Sequence, residues 1–245
     1  MSRRSNRPPK MAIIAAQQIV ADINKRGNVP GDRLPPERTM LEQFQIGRGT
    51  LREALRFLEL QGVIALKPGP GGGPIVQRPD SSSLETTLTL LLQFEHAPYR
   101  SIAESRLGLE PMMTRLAATR MSDELRAELT HSVDEMRARI DDQSVFLETN
   151  KQFHSVIAEG SENPMLGCLI DALLNLLDGS AIGVDYPERR RRAVVKAHQE
   201  IHDAIIAGDP DAAEAAMKSH IQEYLAYLDR THPEALEWPI VWGAR

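Results

Sequence analysis

Arg33-Leu34-Pro35-Pro36-Glu37-Arg38 and, beginning ten residues after its end, Arg48-Gly49-Thr50-Leu51-Arg52-Glu53-Ala54-Leu55 are the stretches on which the fold turns. In the second, Leu51, Ala54, Leu55 and Leu58 fall on one helical stripe, while Arg48, Arg52 and Arg56 recur at four-residue steps on another. One stripe packs against a core. The other holds guanidinium groups outward, where a phosphate or a guanine edge would sit. An amphipathic helix with solubilising arginines shows the same two stripes, so the flanking segments decide between the readings.

Upstream, Met11, Ile14, Ala15, Ile19 and Ile23 have helical spacing that stops at Gly27. After the turn Val29-Pro30-Gly31-Asp32, the pair Pro35-Pro36 suits the start of a second helix, which runs to about Phe44. Gln45-Ile46-Gly47 is a three-residue break, and the third helix ends near Gln61-Gly62. Val63–Leu66 and Pro74–Val76 then read as two short strands around the glycine-rich tip Gly69-Pro70-Gly71-Gly72-Gly73. The tip lacks the Gly-Lys-Ser/Thr ending and the following helix of a nucleotide loop. Three helices and a hairpin in this order make a winged helix-turn-helix.

Charge supports that reading once the chain is divided. The 245 residues carry −5 overall, which argues against a partner made of phosphates. Residues 1–80, however, hold 13 Lys+Arg against 7 Asp+Glu, a surplus of +6, and the remainder carries −11. A basic head precedes an acidic body. The single cysteine, Cys168, permits no intrachain disulfide and is expected to be structural. Pro8, Pro9 and Lys10 interrupt any secretory signal after Arg3, Arg4 and Arg7. No apolar run nears the roughly 20 residues of a membrane span, so the expectation is a cytoplasmic protein with no membrane partner.

The expected organisation is a flexible arm over 1–9, the winged helix-turn-helix over 10–78, a linker over 79–83, a helical domain over 84–231 and a tail over 232–245. Helical patterns place seven body helices at about 83–95, 100–120, 123–141, 143–160, 163–182, 188–208 and 210–230, a bundle with short connections. The tail, with Trp238 and Trp242, is expected to dock on a surface. The fold class is therefore mainly α, a winged helix-turn-helix followed by an all-α bundle.

Spacing also brings out a histidine constellation. Asn150 and His154 share one helical face, His198 and His202 another, and His220 lies on the last long helix. Three helices can aim imidazoles at one interior spot, as in bundle-core metal sites, and imidazole suits zinc, nickel or iron. Partly buried histidines with no metal would show the same spacing. The run Arg189–Arg192, at a helix start in an acidic domain, reads as a solvated or interfacial face.

From Met11 to Leu228 the chain resembles the GntR superfamily of bacterial regulators, in particular its FadR-type branch. In the head the resemblance rests on Gly31–Arg38, Arg48–Leu55 and the wing glycines; in the body, on Arg106–Glu110, Asn150–His154, Asn163, and His198 through Gly208-Asp209 to His220. It implies a homodimer on an inverted-repeat double-stranded DNA operator, with Arg38, Arg48, Gly49, Thr50, Arg52 and a wing glycine such as Gly71 at the DNA. It also implies a divalent metal, zinc before nickel or iron, on Asn150, His154, His198 and His220, with His202 a neighbour. Arg106 matches the family arginine that faces the effector cavity, with pairing to Glu110 as the alternative. Asn163 either meets the effector or caps the helix beginning at Pro164. Two departures stand out. Gly47 stands where a serine commonly caps the third helix, a change costing only a few tenths of a kcal/mol, and Asn150 offers a neutral amide where relatives have a carboxylate.

Together these readings describe a non-enzymatic transcriptional regulator, a repressor controlled by a small carboxylate. The alternatives are an acyl thioester or fatty-acid sensor without metal, and a metal-dependent hydrolase with a DNA-binding head. The second lacks an activated serine or cysteine arrangement and a carboxylate with a clear base role.

Overall fold

The structure, a computed structural model, describes residues 11–69, 72–177 and 186–243. The chain divides into two compact units between Ser83 and Leu84. The arm over 1–9 and the wing-tip glycine Gly71 lie outside the described residues.

The first unit is built from α1 (Met11–Arg26), α2 (Glu37–Phe44), α3 (Arg48–Leu60), β1 (Ile64–Lys67) and β2 (Gly73–Val76). The stripe Leu51, Ala54, Leu55 and Leu58 is buried against Ala15, Ile19 and Ile23 of α1, Met40 of α2, and Ile64 and Val76 of the hairpin. Each large aliphatic side chain so covered contributes about 1.5–3 kcal/mol. The strands pair antiparallel, Ile64 opposite Val76 and Lys67 opposite Gly73. The residues around Arg33, expected only as a turn before α2, add a bridge to Ile75, with Leu34 N donating to Pro74 O at 2.9 Å. Asp32 shapes that edge by accepting from Val29 N at 2.9 Å and from Asn28 Nδ2 at 3.2 Å. At the wing Gly72 has a steric reason: a Cβ there would stand 2.2 Å from the Lys67 carbonyl oxygen.

The second unit takes in α4 (Ser82–Phe94) from Leu84 onward, then α5 (Tyr99–Arg120), α6 (Asp123–Ala138), α7 (Gln143–Gly160), α8 (Pro164–Leu176), α9 (Glu188–Ile206), α10 (Pro210–Thr231) and α11 (Pro233–Glu237). Helix α5 is central, packing against α7, α8, α9, α10 and α11. Side chains just ahead of them cap the starts of several helices, Asp142 before α7, Asn163 before α8 and Asp209 before α10. Ser122 does the same for α6.

Several boundaries differ from the expectation. Helix α6 ends at Ala138 rather than near 141, and α9 ends at Ile206, two residues before Gly208, whose φ of +69° suits glycine. The pattern followed to 182 closes as a helix at Leu176. The tail docks, but through different residues: Ala235, Leu236 and Ile240 are buried while Trp238 and Trp242 remain 48% and 61% exposed. Backbone bonds hold it, with Tyr99 N donating to Trp238 O and Ile240 N to Ala97 O. Cys168, expected to be structural, is an exposed free thiol. Among the described residues no helix is long and apolar enough to cross a membrane.

Candidate functional site

Burial of one stripe of α3 leaves the other outside. Arg48, Gly49 and Arg52 are exposed and Thr50 is half-buried. Neither Arg48 nor Arg52 has a carboxylate partner among the described residues, whereas Arg56 lies 3.6 Å from Glu59. Gly47 caps α3 with no side-chain bond, so the amides of the first turn are free for an anion. Arg38, on α2, is 93% exposed and among the described residues pairs with Glu42 at 3.5 Å, an exposed pair that holds it weakly.

In the helical unit α7, α9 and α10 bring His154, His198 and His220 together, all buried, with one ligating atom from each within 4.8 Å of the others. Phe153 stacks on His198 with centroids 3.9 Å apart, and so fixes that ring. Glu110 of α5, completely buried, places Oε2 2.6 Å from His154 Nδ1, off the alignment of a full hydrogen bond. Its other oxygen accepts from Arg106 Nε. Burial acts to raise the Glu110 carboxyl, but Arg106 and His154 outweigh it and hold the group well below the usual carboxylate range. Burial also drives His198 and His220 well below the ordinary imidazole value, helped by the neighbouring histidines, so both rings are neutral near pH 7.

Beside this cluster opens a cavity of about 420 Å³. Its polar lining includes Arg106, Asn150, His154, Asn175, Arg190 and His220, with Tyr186 and Tyr224; its apolar lining includes Phe146, Leu174 and Ile221. The Tyr186 and Tyr224 hydroxyls are hydrogen-bonded to each other.

The residue types suit a divalent cation. Both ring nitrogens of His154 and of His198 are buried without a hydrogen-bond partner, and each such atom costs about 1–3 kcal/mol if left alone. Neutral imidazoles need no deprotonation to bind a metal. A carboxylate against Nδ1 of one histidine favours the tautomer that leaves Nε2 for a metal.

The metal-free chain is therefore expected to lose stability as pH falls below about 6.5. Unfolding restores the ordinary imidazole value of His198 and His220. Below 6.5 the unfolded chain thus binds protons that the folded chain refuses. Each ring adds a slope of up to about 1.4 kcal/mol per pH unit. Glu110 adds acid sensitivity only lower down, below its ordinary value of 4.5. Denaturant melts of chelator-treated protein between pH 7 and 5 check this, and a flat profile contradicts it.

The contacts of the remaining singled-out residues differ in kind. Asn163, expected to meet the effector or to cap α8, does the latter: its Oδ1 accepts from Met165 N and Leu166 N, and it is not part of the cavity lining. Arg106 lines the cavity and is also paired with Glu110. His202 stands apart, bonded to Thr130 at 2.9 Å and close to Asp203. The run Arg189–Arg192 is not one solvated face: Arg191 donates to the carbonyls of Ile140 and Tyr186, Arg192 pairs with Glu188, and Arg190 lines the cavity. In the sequence Glu110 stands out only as a partner for Arg106 and Arg190 only as part of a solvated or interfacial run, while Tyr186 and Tyr224 do not stand out at all. The signal for Glu110 was its four-residue spacing from Arg106; the others carried none.

A winged head with unpaired recognition-helix arginines, joined to a helical unit with a ligand-sized cavity, defines a DNA-binding regulator. Residues 14–72 match the family model described as "Bacterial regulatory proteins, gntR family", and residues 101–223 match the FCD domain. The chain belongs to the GntR family of bacterial regulators, in the form that carries an FCD domain. It is 28% identical over 231 residues to the HTH-type transcriptional repressor NanR of Cronobacter sakazakii, covering 92% of this chain and 88% of that protein. The NanR of Salmonella typhimurium is equally similar, with 92% and 87% covered. Among solved structures, a Streptococcus agalactiae GntR protein superposes with a TM-score of 0.73 at 25% identity, covering 88% of this chain and 99% of that one. The protein is thus a transcriptional regulator and not an enzyme.

Proposed function

We propose that this regulator is a cytoplasmic repressor, acting as a homodimer on an inverted repeat, whose helical unit holds a divalent metal and senses a small hydroxylated acid. The observation that carries the reading is the buried triad His154, His198 and His220 opening onto the polar cavity. His154, His198 and His220 would hold the ion, zinc before nickel or iron, with Asn150, in the same cavity lining, as the fourth ligand through its neutral amide oxygen. When bound, such a metal supplies a Lewis-acid position for a carboxylate or hydroxyl of the effector.

Arg38, Arg48, Gly49, Thr50 and Arg52 would meet the operator. Arginine offers a bidentate fork to guanine, and the first-turn amides of α3 offer donors to phosphate. The cavity's size and its ring of arginine, asparagine, histidine and tyrosine favour a compact polar acid over an acyl thioester, which needs a long apolar channel. Repression fits the names of the similar proteins. An acid that prefers one arrangement of the helical unit would shift the population of dimers whose heads fit both half-sites.

Elemental analysis of the purified full chain tests the metal. About one zinc, nickel or iron per chain is expected, with zinc affinity at least about 100-fold weaker in His198→Ala and His220→Ala, since loss of a mere supporting group already costs 10–100-fold. A wild-type chain that keeps no metal after incubation with zinc and desalting would remove the metal from the proposal.

A further inference from the structure

We propose that Arg190, rather than Arg106, is the residue that selects for an anion in the cavity; this rests on the reading that the cavity takes a small acid. The charges of the lining point to it. Arg106 is spent: its Nε is bound to Glu110, its side chain is 7% exposed, and the two formal charges cancel. Glu148 and Lys151 are exposed residues of the lining and offset each other in charge. Arg190 is left over.

Its surroundings are those of a cation held ready for a partner. The side chain is half-buried, its Nε is buried without a hydrogen-bond partner, and among the described residues no carboxylate lies within ion-pair distance, the acid acting on it being Glu223 across the neighbouring cavity. The guanidinium is fixed by stacking, its carbon 4.5 Å from the centre of the Tyr227 ring. Stacking leaves the edge of the fork free for a carboxylate to engage with two parallel bonds. The Tyr186 and Tyr224 hydroxyls line the same cavity and suit the hydroxyl groups of the acid. Arg190, Val194 and His220 also line a second cavity of about 240 Å³ between α9 and α10. Arg190 therefore forms part of the partition between the two spaces, and the acid it attracts lies against the wall that carries His220. A neutral sugar of the same size gains nothing from this group, so Arg190 adds specificity for charge beyond what a metal on the histidines supplies.

The test uses zinc-loaded full-length protein and calorimetric titration with citrate, D-glucuronate and L-lactate, with D-glucose as the neutral control. At least one acid is expected to bind wild-type protein and glucose is not. Arg190→Gln is expected to weaken acid binding by at least about tenfold, with zinc content and acid-free operator affinity unchanged. Arg190→Lys is expected to retain part of the affinity, and Lys151→Gln to stay within about twofold, as suits an exposed charge. Equal acid affinity in wild type and Arg190→Gln overturns the role of Arg190 and leaves the acid-sensing reading standing. Loss of zinc in Arg190→Gln also overturns it, marking the residue as structural. No acid response in wild-type protein overturns both readings.

Discussion

Arg48→Ala and Arg52→Ala are each expected to weaken operator binding by roughly tenfold to a hundredfold, about 1–3 kcal/mol for a lost bidentate contact to guanine, while the fold of the winged unit is kept. Both side chains are exposed and lack a carboxylate partner among the described residues, so truncation removes no packing and strands no buried charge. The stripe that does pack, Leu51, Ala54, Leu55 and Leu58, is untouched. Arg38→Ala gives a useful contrast. If Arg38 meets phosphate, its removal weakens all DNA alike and lowers the salt dependence by about one charge. Mobility shifts on an operator selected from random DNA, at two salt concentrations, separate the outcomes. Unchanged affinity in both Arg48→Ala and Arg52→Ala would exclude α3 as the reading helix.

Glu110→Ala is expected to cost about 3–5 kcal/mol of stability in the helical unit, the range for breaking a buried pair from one side. Arg106 would be left nearly buried and unpaired, and His154 would lose the carboxylate beside Nδ1. Removing both charges, as in Arg106→Met with Glu110→Leu, is expected to recover most of that loss, because two apolar side chains of similar size carry no desolvation cost. Urea melts of the three proteins decide the matter. A single-variant cost below about 1 kcal/mol would mean that water reaches the pair and screens it.

The winged unit was largely legible in the sequence because its determinants are local. Leu51, Ala54, Leu55 and Leu58 state their helix by period alone, and Gly27 marks the end of α1 with φ of +66°. Two features there were not legible. The bridge from Arg33 to Ile75 joins residues 42 positions apart, and Gly72 is required by a carbonyl across the hairpin rather than by a property of its own stretch. Asn163 shows the converse: Asn-Pro before an apolar run is a capping signal, and the cap is what the side chain makes.

The tail shows how composition misleads. Two tryptophans suggest burial, yet Ala235, Leu236 and Ile240 make the contact, because backbone pairing to Ala97 and Tyr99 sets which side chains turn inward. The arginine run shows the same for charge. Successive helical residues point about 100° apart, so Arg190, Arg191 and Arg192 reach a cavity, a set of backbone carbonyls and an acid respectively.

By itself the sequence determined the classes of structure and of activity: a basic winged head, an acidic helical body, and three histidines on helices able to meet. These follow from residue periodicity and charge, properties read within a few turns of chain. Only the tertiary structure decided which groups share the interior. Glu110, His154, His198 and His220 come from four helices spread over more than a hundred residues, and their meeting depends on how α7, α9 and α10 pack around α5. That packing spends Arg106 on Glu110 and leaves Arg190 free, because in a low-dielectric interior a cation is defined by the nearest carboxylate, and neighbourhood in space is not written in the local pattern.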